Sequence, residues 1–251
     1  MNRTLVAPLQ EKKLDRRTRT SLRTPGLLAR WPLIGVMMVV LGGLLFGAMA
    51  INLQTHGPLL AVDVRVANDL HAMALQSSPA MRQVMIFGFY LGEHVIVVIG
   101  LIMALYFLYK RFWPGLAMVV IAWAAEGGIW VVLSAYYNRP RPVFDVAVWH
   151  QMTAPGFPSG HAIAAVMCFG LLVYLLVPTI TSRFWRAVVI VTAVLAILYI
   201  GYSRMFVGDH YLTDVLAGYA LGVALCGSVY ALVEVIAQKM DHKQSRKNQS
   251  A

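Results

Sequence analysis

Six apolar runs divide the chain, at 32–53, about 84–109, about 112–136, 162–181, 187–203 and 214–234. A spanning helix needs about twenty apolar residues, so the run at 187–203 is the weakest of the six, and the second carries Glu93 and His94 inside it. None of the runs shows the two-residue alternation of a barrel strand. Lipid then leaves only helices, because each backbone polar group must be satisfied within its own segment. The pattern predicts an all-α polytopic membrane bundle of six transmembrane helices. Residues 54–82 interrupt it with Asp63, Arg65, Asp69 and Arg82, and read as an outer loop with a short amphipathic helix lying on the membrane. Residues 1–25 and 240–251 read as disordered polar tails. The organisation that follows is a basic cytoplasmic tail at 1–30, one six-helix domain at 31–238 and a second basic tail at 239–251, with no repeat and no second domain.

Composition agrees with a bilayer protein. Of 251 residues, 59% are hydrophobic and 13% charged, with a mean hydropathy of +0.67. The N-terminal basic stretch and the apolar run after it are both long, which predicts an uncleaved first span. Cys168 and Cys226 lie inside apolar runs and read as helix filler. The net charge of +10 does not suggest nucleic acid, since the cations sit in tails and short loops beside the spans, where membrane lipids are the expected partner.

Charge also orients the layout. Six spans put both termini on one side, and sixteen of the 21 Lys and Arg fall there: those of the two tails, Lys110 with Arg111, and Arg183 with Arg186. That side is cytoplasmic by the positive-inside rule. Arg65, Arg82, Arg139, Arg141 and Arg204 remain at the opposite, outer face.

Three stretches meet at that face: YNRPRP at 137–142, PSGH at 158–161 and SRMFVGDHYLTD at 203–214. Their arginines offer forked, charge-assisted bonds to phosphate oxygens. The alternating prolines stiffen the loop that carries Arg139 and Arg141. Ser159 and Gly160 begin the fourth span, where backbone N–H groups and the helix dipole form an anion site and glycine permits close approach. His161 stands beside that site. His210 and Asp214 are four apart at the start of the sixth span, so the carboxylate can fix the imidazole tautomer. An oriented imidazole with a free nitrogen is a nucleophile.

These stretches resemble the three signature motifs of the type 2 phosphatidic acid phosphatase superfamily: Lys, six residues, Arg-Pro; then Pro-Ser-Gly-His; then Ser-Arg, five residues, His, three residues, Asp. Arg141-Pro142, Pro158 to His161, and Ser203-Arg204 through His210 to Asp214 match. The resemblance implies a lipid-phosphate phosphatase in which His210 attacks phosphorus and Asp214 orients it. His161 protonates the leaving group and then activates water, while Arg141, Arg204, Ser159 and the Gly160 N–H hold the phosphoryl oxygens. It implies no metal and no other cofactor. The family's Lys is replaced by Ser134, and Arg139 is the nearest cation to fill the gap. Glu126, an intramembrane carboxylate, has no assigned role.

Undecaprenyl diphosphate is the first substrate expected, ahead of phosphatidylglycerol phosphate, phosphatidate and diacylglycerol diphosphate, in a bacterial inner membrane with a periplasmic site. Three other readings stay open: phosphotransfer to a lipid or sugar hydroxyl, a metal site built from His161, His210 and Asp214, and a non-catalytic lipid-binding or transport protein. The oligomeric state is not determined by the sequence. Glu93 and His94 read as an interior hydrogen-bonded pair, Asp209 as an N-cap and Thr213 as no more than a cap. Trp113, Trp130, Trp149, Tyr136 and Tyr137 read as interface anchors.

Overall fold

The computed structural model describes residues 32–150 and 152–249, so the N-terminal tail at 1–30 lies outside the described residues. Those residues are helical and loop segments with no strand among them. In chain order the helices are α1 (Pro32–Gln54), α2 (Leu59–Gln76), α3 (Pro79–Tyr90), α4 (Ile96–Tyr109), α5 (Trp113–Tyr137), α6 (Gly160–Leu176), α7 (Arg183–Phe206) and α8 (Leu212–Gln249). One π turn, Leu91–Val95, joins α3 to α4.

Six helical segments are long and apolar enough to cross a membrane: Leu33–Gln54, Pro79–Tyr109, Trp113–Tyr137, Gly160–Thr179, Arg183–Phe206 and Leu212–Val233. The second starts several residues before the hydropathy pattern places it. Ser78 accepts a bond from the Met81 N–H at 3.2 Å and Pro79 occupies the first turn, so capping rather than hydropathy sets the start. The fifth is longer than its apolar run because Arg183, Arg186 and Arg204 are carried inside its ends. The final helix continues through Gln249, past the residue where polar composition predicts a disordered tail. Its last stretch lacks Gly and Pro and is rich in Lys and Gln, which favour helix.

Lipid is as apolar as leucine, so these helices are joined by close packing more than by hydrophobic drive. On α1, Gly35 and Gly42 face Gly227, Ala220 and Ala224 of α8, a small-residue crossing that lets the two backbones nearly touch. The outward side of α1 is apolar, with Leu33, Met37, Leu41, Leu44 and Leu45 all more than half exposed. The tight interior lies elsewhere, where Met118 and Ala122 of α5, Ile163, Met167 and Leu171 of α6, and Cys226 and Val229 of α8 are buried together. Cys168 and Cys226 are both buried and free.

The ends of α1 and α5 and the start of α8 lie at one end of the bundle. Gln54 Nε2 reaches Tyr136 Oη at 3.3 Å, and Asp63 of α2 accepts the Thr213 N–H at 2.8 Å. The helix expected between residues 54 and 82 is α2. It packs against α7 and α8, and its buried stripe is Asp63, Ala67, Leu70 and Ala74.

Candidate active site

The loop after α5 is built to hold a shape. Asn138 ends α5 in the left-handed region at φ 41°, which Asn tolerates better than most residues, and its N–H bonds the Ser134 carbonyl at 2.9 Å. The Gly156 N–H then reaches back to the Arg139 carbonyl at 2.8 Å. Phe157, fully buried, lies against Phe46 and Tyr137 with ring centroids at 5.9 and 4.9 Å, and the bond to Pro158 is cis. Ser159 follows as the residue that caps the start of α6. Close backbone approach completes the junction: a Cβ added to Gly218 of α8 would stand 2.7 Å from the Ser159 carbonyl.

His210 is the centre of the site. It is 2% exposed and lies between α7 and α8. Its Nε2 is 3.1 Å from Arg141 Nη1, and its Nδ1 is 3.5 Å from Asp214 Oδ2. A guanidinium only donates, so the first contact takes the Nε2 lone pair and leaves the proton on Nδ1, facing the carboxylate. Burial holds the His210 pKa well below the ordinary histidine value, and Arg141, Arg204 and Arg139 push it the same way, against a bond from the Gly156 backbone. The resting imidazole is neutral at pH 7, the form a nucleophile needs.

Arg141 is pinned by carbonyls. Its Nε donates to Ala154 O at 2.7 Å, Nη1 to Asp209 O at 3.0 Å and Nη2 to Pro155 O at 3.5 Å. Burial lowers its pKa and the charge of Asp214 partly restores it. Arg204, fully buried, pairs with Asp209 and packs its guanidinium 4.8 Å from the centre of the Phe89 ring. Asp209 is thus a buried counter-ion, and its N–H bonds the Arg204 carbonyl at 3.0 Å where α7 ends.

Two sequence expectations change here. The Ser159 N–H does not face an anion, because it donates to the backbone carbonyl of Asp214 at 3.0 Å. What Ser159 offers is its Oγ, buried and without a hydrogen-bond partner among the described residues. Arg139 does not stand free beside Arg141 either. Its Nη1 donates to Asp214 Oδ1 at 2.5 Å and Thr213 Oγ1 at 2.8 Å, and its Nη2 to Asp63 Oδ2 at 2.7 Å. Removing one partner from a buried ion pair costs roughly 3–5 kcal/mol, so two carboxylates hold this side chain in place. The cationic gap at Ser134 is left open: Ser134 is buried and its Oγ turns back to the Val131 carbonyl at 3.2 Å.

His210, Arg141, His161 and Gly160 line one cavity of about 290 Å³, with apolar walls from α4, α5 and α6. Trp130 is part of that wall rather than an interface anchor, and a Cβ on Gly160 would come within 3.0 Å of its Nε1. Glu93 is also present, 3.9 Å from His161 Nε2. The expected pairing of Glu93 with His94 is not what holds it, since the π turn directs Glu93 toward the cavity and leaves His94 among Phe89 and Tyr90. Glu126 lines the same cavity. Among the described residues no group of three or more His, Cys, Asp or Glu is placed to hold a metal ion.

Sequence reasoning passed over Asp63 and treated Thr213 as a cap. The signal for Asp63 was present: it occupies the buried stripe of α2, four residues before Ala67 and seven before Leu70, where an unpaired charge would be costly.

Known proteins resemble this chain in sequence and fold. The chain is 34% identical over 161 residues to phosphatidylglycerophosphatase B of Bacillus subtilis (strain 168), covering 61% of this chain and 76% of that one. The crystal structure of a transmembrane PAP2 type phosphatidylglycerolphosphate phosphatase from Bacillus subtilis superposes with a TM-score of 0.60 at 26% identity, over 80% of this chain and 96% of the other. LpxE of Aquifex aeolicus shares the fold at a TM-score of 0.50 and 19% identity, over 68% and 94% of the two chains. Residues 115–237, which contain all three motif stretches, match the PAP2 superfamily, and with its six apolar helices this chain belongs to that family as a multi-span membrane protein.

Proposed function

We propose that this membrane phosphatase of the PAP2 type hydrolyses the terminal phosphomonoester of a glycerolipid through a phosphohistidine. One observation carries the reading: a buried imidazole with its Nε2 beside a guanidinium lines a cavity whose other walls are largely apolar. The phosphate binds at Arg141, with Arg204 adding charge behind it and the Ser159 hydroxyl and Gly160 N–H as further donors. His210 Nε2 attacks phosphorus in line. The phosphorus–oxygen bond to the lipid breaks, and the leaving oxygen takes a proton from His161. A water then gives its proton to His161, attacks the phosphohistidine and releases phosphate. Asp214 stabilises the Nδ1 proton throughout. The charge at the site comes from guanidinium groups, so full activity after exhaustive chelation is expected.

The named relatives favour phosphatidylglycerol phosphate over undecaprenyl diphosphate. Phosphate release from both lipids in detergent micelles, with His210→Ala as control, measures the preference. Transfer of labelled phosphate to a lipid hydroxyl instead of water would identify a phosphotransferase. Absence of any release across the panel would leave a lipid-binding protein.

His161 has its own test. His161→Ala should lower turnover of an alkyl phosphate by about a hundredfold and that of an aryl phosphate by less than about tenfold, because the aryl oxide leaves without protonation. Equal losses on the two would remove His161 as the acid.

We also place the site on the periplasmic side of a bacterial inner membrane, with both termini cytoplasmic, from the charge asymmetry of the loops. Val146 lies in the loop between α5 and α6 and is 60% exposed, whereas Cys168 and Cys226 are buried. Val146→Cys should react with an impermeant thiol reagent in intact spheroplasts. Reaction only after lysis would invert the assignment.

A further inference from the structure

Asp63 belongs to none of the three motif stretches, yet it is fully buried at the back of the site. We propose that Asp63 is a positioning residue for the reaction, acting through Arg139 to hold Asp214 in the orientation that fixes His210. This rests on the reading of His210 as nucleophile.

The network is continuous. Asp63 Oδ1 accepts the Thr213 N–H at 2.8 Å, and Oδ2 accepts both the Thr213 hydroxyl at 2.5 Å and Arg139 Nη2 at 2.7 Å. The other arm of the guanidinium, Nη1, donates to Asp214 Oδ1 at 2.5 Å and to Thr213 Oγ1 at 2.8 Å. The Tyr211 ring lies under the guanidinium at 4.3 Å. Asp214 Oδ2 then accepts the Tyr211 N–H at 2.9 Å and faces His210 Nδ1 at 3.5 Å. Each oxygen of Asp214 is therefore held from a defined direction, one by Arg139 and one by backbone, and its rotation is blocked.

Electrostatics gives Asp63 a second task. Arg139 alone would neutralise Asp214 and weaken its hold on the proton at Nδ1. Shared between two carboxylates, its charge leaves a net negative charge in the network, directed at the imidazole that becomes cationic when phosphorylated. Removing the Asp63 charge gives Asp214 the whole of Arg139. The transition state then loses stabilisation that the bound substrate does not need, which is a kcat effect.

Asp63→Asn keeps the shape and one acceptor while removing the charge. It should lower kcat by about tenfold to a hundredfold, the range for groups that orient a catalytic side chain, with KM within about threefold of the parent. The decisive measurement is the same substitution in an Asp214→Asn background. If Asp63 acts through Asp214, its effect there falls to less than about twofold. A merely structural role would multiply the two losses and overturn the proposal, as would parental kcat in Asp63→Asn. Should that variant not fold, Thr213→Val removes only the bridging hydroxyl. It should lower kcat about threefold to tenfold in the parent and leave the Asp214→Asn protein unchanged, and parental kcat would again overturn the idea. His210→Ala separates the layers: turnover in that protein defeats the phosphohistidine reading itself, whereas no turnover there with a parental Asp63→Asn defeats only this inference.

Discussion

Replacing His210 with alanine is expected to lower phosphate release by at least about ten-thousandfold, the scale on which removal of a catalytic nucleophile acts. Among the described residues no neighbouring side chain is arranged to replace it. His161 lines the same cavity but has Glu93 at 3.9 Å and no geometry like the Asp214 contact of His210. Asp214→Asn should be milder, about a hundredfold to a thousandfold, since the imidazole survives and loses only its charged partner. The two variants also differ in what they trap. Brief reaction with labelled substrate should leave acid-labile, base-stable label on the parent and on Asp214→Asn, and none on His210→Ala. The neutrality of His210 gives this result a pH signature. Its pKa is depressed, so lowering the pH through the ordinary histidine range near 6.5 does not remove the free base. An acid limb of kcat/KM well below that range fits His210, whereas a full limb at 6.5 that vanishes in Asp214→Asn would mean the imidazole is not held as its surroundings require.

Arg141→Ala is expected to produce the next largest loss, about a thousandfold in kcat/KM, comparable to removing a preorganised donor from a developing charge. Three bonds to the Ala154, Pro155 and Asp209 carbonyls fix the guanidinium, and among the described residues its other hydrogen-bond contact is the Nε2 lone pair of His210. Such a bond cannot persist during attack, because the lone pair is what forms the bond to phosphorus. A phosphoryl oxygen must therefore take Nη1 from the imidazole, so that binding the substrate frees the nucleophile. Arg139 cannot substitute, since Asp63 and Asp214 already hold it. Arg141→Lys restores a charge without the fork and should recover only part of the loss. Vanadate, which adopts a five-coordinate phosphoryl-like geometry, should inhibit the parent and lose potency in parallel with kcat/KM. Parental kcat/KM in Arg141→Ala would place the phosphate elsewhere.

The missing lysine bears on how these effects combine. Ser134 is buried and bonded to its own helix, so the charge that the family's pattern supplies from α5 is absent from that position. With Arg139 engaged by carboxylates, Arg141 and Arg204 are the cations left for the phosphate in the proposed reaction, and Arg204 shares its charge with Asp209. Loss of Arg141 should accordingly be felt more strongly than loss of one ligand among many.

By itself the sequence determined the six spans, the charge asymmetry and the gathering of Arg141, Ser159, Gly160, His161, Arg204, His210 and Asp214 at one end of the bundle. Each of these is a local property: hydropathy over about twenty residues, cations beside a span, a histidine and a carboxylate one helical turn apart. Tertiary structure alone decided what each polar group at that end touches. Arg139 and Arg141 sit two apart in NRPRP, each followed by proline, and nothing local distinguishes them. They diverge because α2 and α8 bring Asp63 and Asp214, 76 and 75 residues away in sequence, within 2.7 and 2.5 Å of Arg139, while Arg141 meets carbonyls and an imidazole. The same holds for the Ser159 N–H, taken by the Asp214 carbonyl, and for Glu93, turned to His161 by the π turn. A buried charge is stable only beside a partner, and which partner is in reach is set by packing between helices far apart in the chain.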